Sequence, residues 1–197
     1  MTLPDLTAAQ ATQLGLVAKD LVNHGCAITG NDCTNVFAVS IPGVKPAAYI
    51  TWFQAAAAAR NSGKRLPTNA EWQAAALGTP DPGDFQWPEE CNTNSGGPGL
   101  TGDRGNCGSY VGAFDMVGNL WEWVADWVPL STGCANALFN GNEDWNCLAG
   151  GSNPAGGTGA LLRGGSAWIG TSGGVFSVAG TVSPAAMHFA VGFRAAR

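Results

Sequence analysis

Asp115-Met116-Val117-Gly118-Asn119-Leu120-Trp121-Glu122-Trp123-Val124-Ala125-Asp126-Trp127 alternates in the manner of a strand. Leu120, Glu122 and Val124 fall on one face and Trp121, Trp123 and Ala125 on the other, so residues 110–128 read as extended chain. Upstream, three helix starts share one signature. Thr7-x-x-Gln10, Thr51-x-x-Gln54 and Thr68-x-x-Glu71 each match a capping box, in which a hydroxyl and an amide or carboxylate satisfy exposed backbone N–H groups reciprocally. The first predicts a helix to about residue 23, with Leu14, Val17, Ala18 and Leu21 on one face and Gly25 as its stop. The second runs through Trp52, Phe53 and five alanines to Ser62-Gly63. The third follows Pro67, turns Trp72 inward and ends at Gly78-Thr79-Pro80.

Downstream of the helices, residues 80–109 are rich in Gly, Pro, Asn and Asp and read as a long irregular stretch. Gly96-Gly97-Pro98-Gly99 lacks the following Gly-Lys-Ser/Thr of a phosphate loop. A second loop is expected over 129–160. Short strands are expected at Leu161-Leu162-Arg163, around Val175-Phe176-Ser177-Val178, and at Val191-Gly192-Phe193-Arg194. The fold class is therefore α+β, a single domain over 1–197 with helices early and strands late. Within it, 1–45 form an N-terminal helix and lead-in, 46–162 a scaffold, and 163–197 a chemically mixed tail.

Composition limits the partners. The chain has 197 residues, 45% of them apolar, with 9 basic against 14 acidic residues and a net charge of −5. One domain of this length buries about 70% of its unfolded surface. An acidic, Lys-poor surface argues against nucleic acid or anionic lipid. No apolar run reaches the roughly 18 residues that span a bilayer, so membrane insertion is not expected. The first ten residues lack a basic and then apolar leader, so no secretory signal is expected. Cys26, Cys33, Cys91, Cys107, Cys134 and Cys147 fall into three local couples, and both disulfides and reduced thiols fit the sequence. None lies in a C-x-x-C, which disfavours zinc or thioredoxin-like chemistry.

Three blocks resemble one family. Gly63-Lys64-Arg65-Leu66-Pro67-Thr68-Asn69-Ala70-Glu71-Trp72 is similar to the GKRLPTEAEWE block of the formylglycine-generating enzyme (sulfatase-modifying factor) family. Residues 115–127 resemble its DMxGNxWEWxxDW block. Arg163-Gly164-Gly165-Ser166 and Gly192-Phe193-Arg194 resemble its closing RGGSW and GFR elements. The resemblance implies a C-type-lectin-type fold: a small twisted antiparallel sheet and two main helices supporting long irregular loops. Activity is a separate matter. That family's oxidase chemistry depends on a cysteine pair between the last two elements, where this chain has Ile169 and Gly174 and no cysteine. A related branch holds iron with three histidines, and this chain has two, His24 and His188. The Glu-Pro-Asn and Gln-Pro-Asp triplets of calcium-dependent sugar binding are also missing.

The tail instead resembles the variable proteins of diversity-generating retroelements, whose ends look like LRGGSW…GVF…P…GFRAAR. Leu162 to Ser166, Gly174-Val175-Phe176, Pro184 and Gly192 to Arg197 match that pattern. The resemblance implies a ligand-binding surface of diversified residues: Ala167, Trp168, Ile169, Ser172, Ser177, Ala179, Thr181, Val182, Ala185, Ala186, His188, Phe189 and Ala190. Such a surface needs a backbone whose shape ignores its side chains, and the glycines at 164, 165, 170, 173, 174, 180 and 192 would provide it. Phe176 and Phe193 are expected to point inward. Trp168, Ile169, Met187, His188 and Phe189 are expected to form an exposed patch of hot-spot composition. The implied partner is a protein or cell-surface ligand, and the implied setting a phage particle or bacterial surface. No catalytic residue or cofactor is expected. Asn119 and Glu122 lie where some relatives hold structural calcium, with hydrogen bonding of Glu122 to backbone or tryptophan N–H as the alternative. Arg163 and Arg194 are expected as structural braces.

Overall fold

The computed structural model describes residues 12–81, 90–139, 142–151 and 157–197. Helices α1 (Asp20–Asn23), α2 (Trp52–Asn61) and α3 (Asn69–Ala75) precede strands β1 (Trp121–Pro129), β2 (Gly133–Phe139), β3 (Asn142–Ala149), β4 (Thr158–Arg163), β5 (Val178–Val182) and β6 (Val191–Phe193), with a 3-10 turn, η1, at Gly170–Ser172. The strands form one six-stranded sheet in the order β2-β3-β5-β4-β1-β6. Two of its pairings, β1 with β6 and β3 with β5, are parallel; the rest are antiparallel.

Both capping boxes ahead of α2 and α3 form as the sequence predicts. Gln54 N–H donates to Thr51 Oγ1 and Glu71 N–H to Thr68 Oγ1, while the Gln54 and Glu71 side chains accept from the N-cap backbone. The helices lie on opposite faces of the sheet. Ala55, Ala57 and Ala58 of α2 pack on the face carrying Trp121, Trp123, Ala160, Leu162, Ala179 and Val191. Trp72 and Ala76, from α3 and its C-cap, pack on the face carrying Val124, Leu161 and Val178. The alternation read along 120–125 is thus the partition of the core, and both faces of β1 are buried. Tryptophan N–H groups find carbonyls: Trp123 Nε1 donates to Ile50 O at 2.9 Å and Trp52 Nε1 to Val124 O at 2.7 Å.

Several expectations are corrected. The Thr7–Gln10 box lies outside the described residues, and from residue 12 onward the predicted first helix is reduced to α1. Left-handed backbone at Gly15 and Lys19 cannot continue a right-handed helix, and the Asp20 carboxylate takes the N–H groups of Leu16 and Val17. Residues 110–120 are irregular, because Asp115, Gly118 and Asn119 all have positive φ; the strand begins at Trp121. The expected loop 129–160 contains the β2–β3 hairpin, which Cys134–Cys147 crosslinks and which β5 extends through Asn146↔Val178 and Cys147↔Ala179. The strand expected at 175–178 lies at Val178–Val182 instead.

Each cysteine couple is a disulfide, Cys26–Cys33, Cys91–Cys107 and Cys134–Cys147. Loops this short contribute about 2–3 kcal/mol each by restricting the unfolded chain. Cys91–Cys107 packs on Val117 and anchors the irregular stretch after residue 90.

At the centre, Glu122 is buried and its carboxylate is fully engaged. Oε2 accepts from Trp72 Nε1 at 2.7 Å and from Arg194 Nε at 2.6 Å, and Oε1 accepts from Arg194 Nη2 at 2.6 Å. Arg194 Nη2 also donates to Phe114 O at 3.0 Å. One carboxylate therefore ties α3, β1 and the end of β6 together. Removing it would orphan the buried Trp72 N–H and deprive the half-buried Arg194 of its bidentate partner, so Glu122→Ala is expected to lose about 3–5 kcal/mol in urea unfolding. Gly164 sets the second constraint. Its φ is +86°, and a methyl there would overlap Met116 O and approach Trp72 Cζ2 to 3.0 Å. Gly164→Ala should cost about 1–3 kcal/mol by the same measurement, without altering the exposed tail side chains.

Candidate ligand-binding face

The face is assembled from the end of β4 onward. Arg163 is buried, with its guanidinium 4.7 Å over the Trp72 ring. It donates to the carbonyls of Val175 (3.1 Å), Phe176 (3.2 Å) and Ser177 (2.8 Å), and to Gln73 Oε1. Burial pulls its pKa down to about 10, so it stays charged at neutral pH. Arg163 is thus a clip for the returning loop, and Arg194 a clip for Glu122. Both are the braces the sequence suggested.

Between these clips the backbone is held by partners outside the face. Ala167 N–H donates to Asn119 O, Gly96 N–H to Ala167 O, and Gly170 N–H to Thr93 O. Across the second half, Trp52 N–H donates to Pro184 O, Tyr49 N–H to His188 O, and Trp121 N–H to Ala190 O. Of the outward side chains, His188 contributes one bond, its Nδ1 accepting from Ala190 N–H at 3.2 Å.

The thirteen residues singled out from the sequence divide three ways. Trp168, Thr181, Ala185, His188 and Phe189 are exposed. Ile169, Ser172, Val182 and Ala186 are half-buried, with Ile169 and Val182 leaning on the core. Ala167, Ser177, Ala179 and Ala190 are buried and present no side chain to a partner. Their burial has specific causes. Ala167 sits between Asn119 and the Gly96 turn, and Ala179 faces α2 from β5. Ser177 Oγ donates to Ser172 O at 2.6 Å and accepts from Gly174 N–H at 3.0 Å, closing the 172–177 turn. Ala190 delivers the chain into β6.

On the exposed side, Trp168 and Phe189 are 38% and 44% accessible and meet edge to face at 4.9 Å. His188 lies against Phe189 at 4.2 Å. An aromatic group this size, left in water, is a feature of contact surfaces. Phe176, expected as an inward anchor, is 37% exposed and belongs to the outside. Its G-V-F position looked like core packing in the sequence. The loop turns it outward because Arg163 and Asp144 hold its backbone instead.

The donor set at Asn119 and Glu122 does not fit a cation. Both Glu122 oxygens are committed to Arg194 and Trp72, and Asn119 Oδ1 accepts from Gly99 N–H at 3.0 Å. The hydrogen-bonded alternative is what forms. Among the described residues no three His, Cys, Asp or Glu gather as metal ligands. All six cysteines are oxidised, so the thiols needed by the oxidase chemistry of the resembling family are not supplied. A cleft of about 420 Å³ beside α2 is lined by Trp52, Ala56, Leu66 and Ala125, and its Arg65 and Glu71 close on each other in an ion pair. No helix among the described residues is long and apolar enough to cross a membrane.

Similarity to known proteins follows these lines. A formylglycine-generating enzyme of Thermomonospora curvata is 36% identical over 101 residues, covering 42% of this chain and 33% of the enzyme. A hercynine oxygenase of Mycolicibacterium smegmatis is 36% identical over 96 residues, covering 43% of this chain and 22% of the oxygenase. The chain thus spans a third or less of these relatives' length. Among solved structures, the Major Tropism Determinant I1 and M1 variants superpose with TM-scores of 0.53 and 0.52 at 21% identity. Each match covers 74% of this chain and 37% and 36% of theirs, and shows a shared C-type-lectin-type fold. Residues 20–197 match the sulfatase-modifying factor enzyme 1-like domain, and the chain belongs to that family.

Proposed function

We propose that this chain is a non-enzymatic recognition protein whose exposed residues between 168 and 189 contact a protein or cell-surface ligand and are diversified by a retroelement. The observation that carries the reading is the solvent-facing Trp168–Phe189–His188 cluster, seated on a backbone held by its own turns and by backbone bonds to Thr93, Gly96, Asn119, Tyr49, Trp52 and Trp121. Side chains there can change while the frame does not. A specific interface needs roughly 800 Å² per partner, a scale that the exposed positions and their rim can supply. The LRGGS and GFRAAR elements flank this surface and GVF lies within it, the order found in retroelement variable proteins. The Major Tropism Determinants, which share the fold, carry tropism in their name, and this supports the same use here, on a phage particle or bacterial surface. The sealed thiols weigh against the formylglycine-generating activity of the sequence relatives.

Two measurements test this. Clonal copies of the gene should vary at the codons of Trp168, Ile169, Thr181, Ala185, His188 and Phe189, beside a near-copy of the 3′ end and a reverse transcriptase gene. Ala167, Ala179 and Ala190 should stay constant because polar or large residues there would cost several kcal/mol, and Ser177 because its hydroxyl closes the turn. Equal variation at buried and exposed positions would overturn the reading. Replacing Trp168, His188 and Phe189 together by alanine should shift stability by less than about 1 kcal/mol per site, as for surface residues. Oxygen-dependent conversion of a cysteine peptide to an aldehyde by the purified protein would restore an enzymatic role.

A further inference from the structure

Helix α2 has a second stripe that the core does not use. Gln54, Ala55, Ala57, Ala58 and Ala59 are buried, whereas Trp52, Ala56 and Arg60 recur at i, i+4 and i+8 along its outer flank. With Lys64 these three line the cleft of about 420 Å³, over a floor that Leu66 and Ala125 complete. Ala56 is the small residue between a large ring and a long cation, and its missing bulk leaves the hollow. The apolar wall continues out of the cleft. Trp52 meets Trp127 edge to face at 5.0 Å, Trp127 meets Phe53 at 5.7 Å, and Trp127 is 45% exposed. At the other end of the stripe the charges do not cancel. Glu71 holds Arg65 through two bonds of 2.6 Å, but among the described residues the side chains of Arg60 and Lys64 have no partner. The helix end does not need them, because the N–H groups of Ser62, Gly63 and Lys64 already satisfy the carbonyls of Ala58, Ala59 and Arg60. Two unpaired cations thus rim an apolar cleft on a chain whose net charge is −5.

We propose that this cleft is a second binding site and that it takes an acidic peptide segment of a partner protein. A carboxylate of the segment meets Arg60 and Lys64, and an aromatic side chain lies against Trp52 and Trp127. Charge complementarity selects the anion. The apolar wall selects its neighbour, because a ring laid on the two indoles removes apolar surface from water on both partners. Length selects a peptide rather than a small carboxylate. Trp52 and Arg60 stand two turns apart, about 12 Å at a rise of 1.5 Å per residue, a distance that extended chain covers in about four residues. A small acid reaches one end or the other, whereas a peptide with its acid and its anchor four positions apart reaches both. The cleft shares no side chain with the surface over 168–189, so failure of either site leaves the other standing.

The test titrates the intact chain with an acetylated, amidated peptide, Asp-Asp-Gly-Ser-Gly-Phe, followed by NMR. The Trp52 indole N–H and the Ala56 methyl should shift saturably, and the Trp168 indole should stay still. A peptide with lysine in place of both aspartates should give no saturable shift, because like charges then face each other. Replacing Arg60 and Lys64 together by alanine should weaken binding by about two- to thirtyfold, the range set by two exposed ion pairs. Rising salt should weaken it as well, since such pairs are screened. Ala56→Leu, which fills the hollow, should block the peptide, with an unchanged melting temperature as the check that each variant folds. Unmoved Trp52 and Ala56 signals at millimolar peptide would overturn the site, as would an equal response to the lysine peptide; neither outcome needs a variant. Phenylacetate binding as tightly as the peptide would overturn the choice of a peptide partner. Shifts confined to Trp168 would move the probe to the other face and overturn the cleft.

Discussion

The carboxylate of Glu122 is the constraint on which the architecture turns. It sits in β1, between β4 and β6 in a tryptophan-rich core, and satisfies an indole from one helix and a guanidinium just past the closing strand. Burying charge costs several kcal/mol per ion unless the geometry repays it, and here every carboxylate lone pair that matters has a donor. Specificity follows from the same arrangement. An apolar residue at 122 could fill the volume, but it would not fix where Arg194 ends or which way Trp72 faces. Because Arg163 stacks on that same indole, the position of the loop over 175–177 is inherited from Glu122 through Trp72.

This chain of contacts separates shape from surface. The tail is held by guanidinium-to-carbonyl bonds, by backbone pairing to Tyr49, Trp52 and Trp121, and by glycine conformations that admit no side chain. None of these holds requires a particular residue at 168, 181, 185 or 189. The buried tail residues behave oppositely. Ser177 closes its turn with its own hydroxyl, and Ala167 is wedged between two backbone partners. Tolerance to substitution is therefore set position by position, by which direction each Cβ takes.

Much of this was legible in the residues. The capping boxes placed α2 and α3, the alternation over 120–125 divided the core, and the local spacing of cysteines offered the pairing that forms, with reduced thiols open beside it. The arginines at 163 and 194 could be recognised as braces from their glycine and apolar neighbours. What escaped the reading depended on partners distant in sequence. Helix periodicity over Leu14 to Leu21 looked continuous, yet Ala48 N–H bonds Gly15 O and the chain turns away. Asn- and Gly-rich residues around 133–149 resemble loop, but β5 and a disulfide make them strands. Asp144 gave no signal because the loop that buries it returns from residues 173–177. Four of the thirteen tail positions point inward because the resemblance gave the span of the surface and not the direction of each Cβ, which turns and a 3-10 segment reset along the tail.

The parallel pairing of β1 with β6 has a consequence for synthesis. Trp121 meets Val191 and Glu122 meets Gly192, so β1 waits for a partner made long after it. On the ribosome, the helices and the disulfide-bounded loops can settle first, but Arg194 cannot reach Glu122 until the residues after 190 have emerged. The tail is thus laid down last, and it brings with it β5 and β6, the strands that complete the sheet.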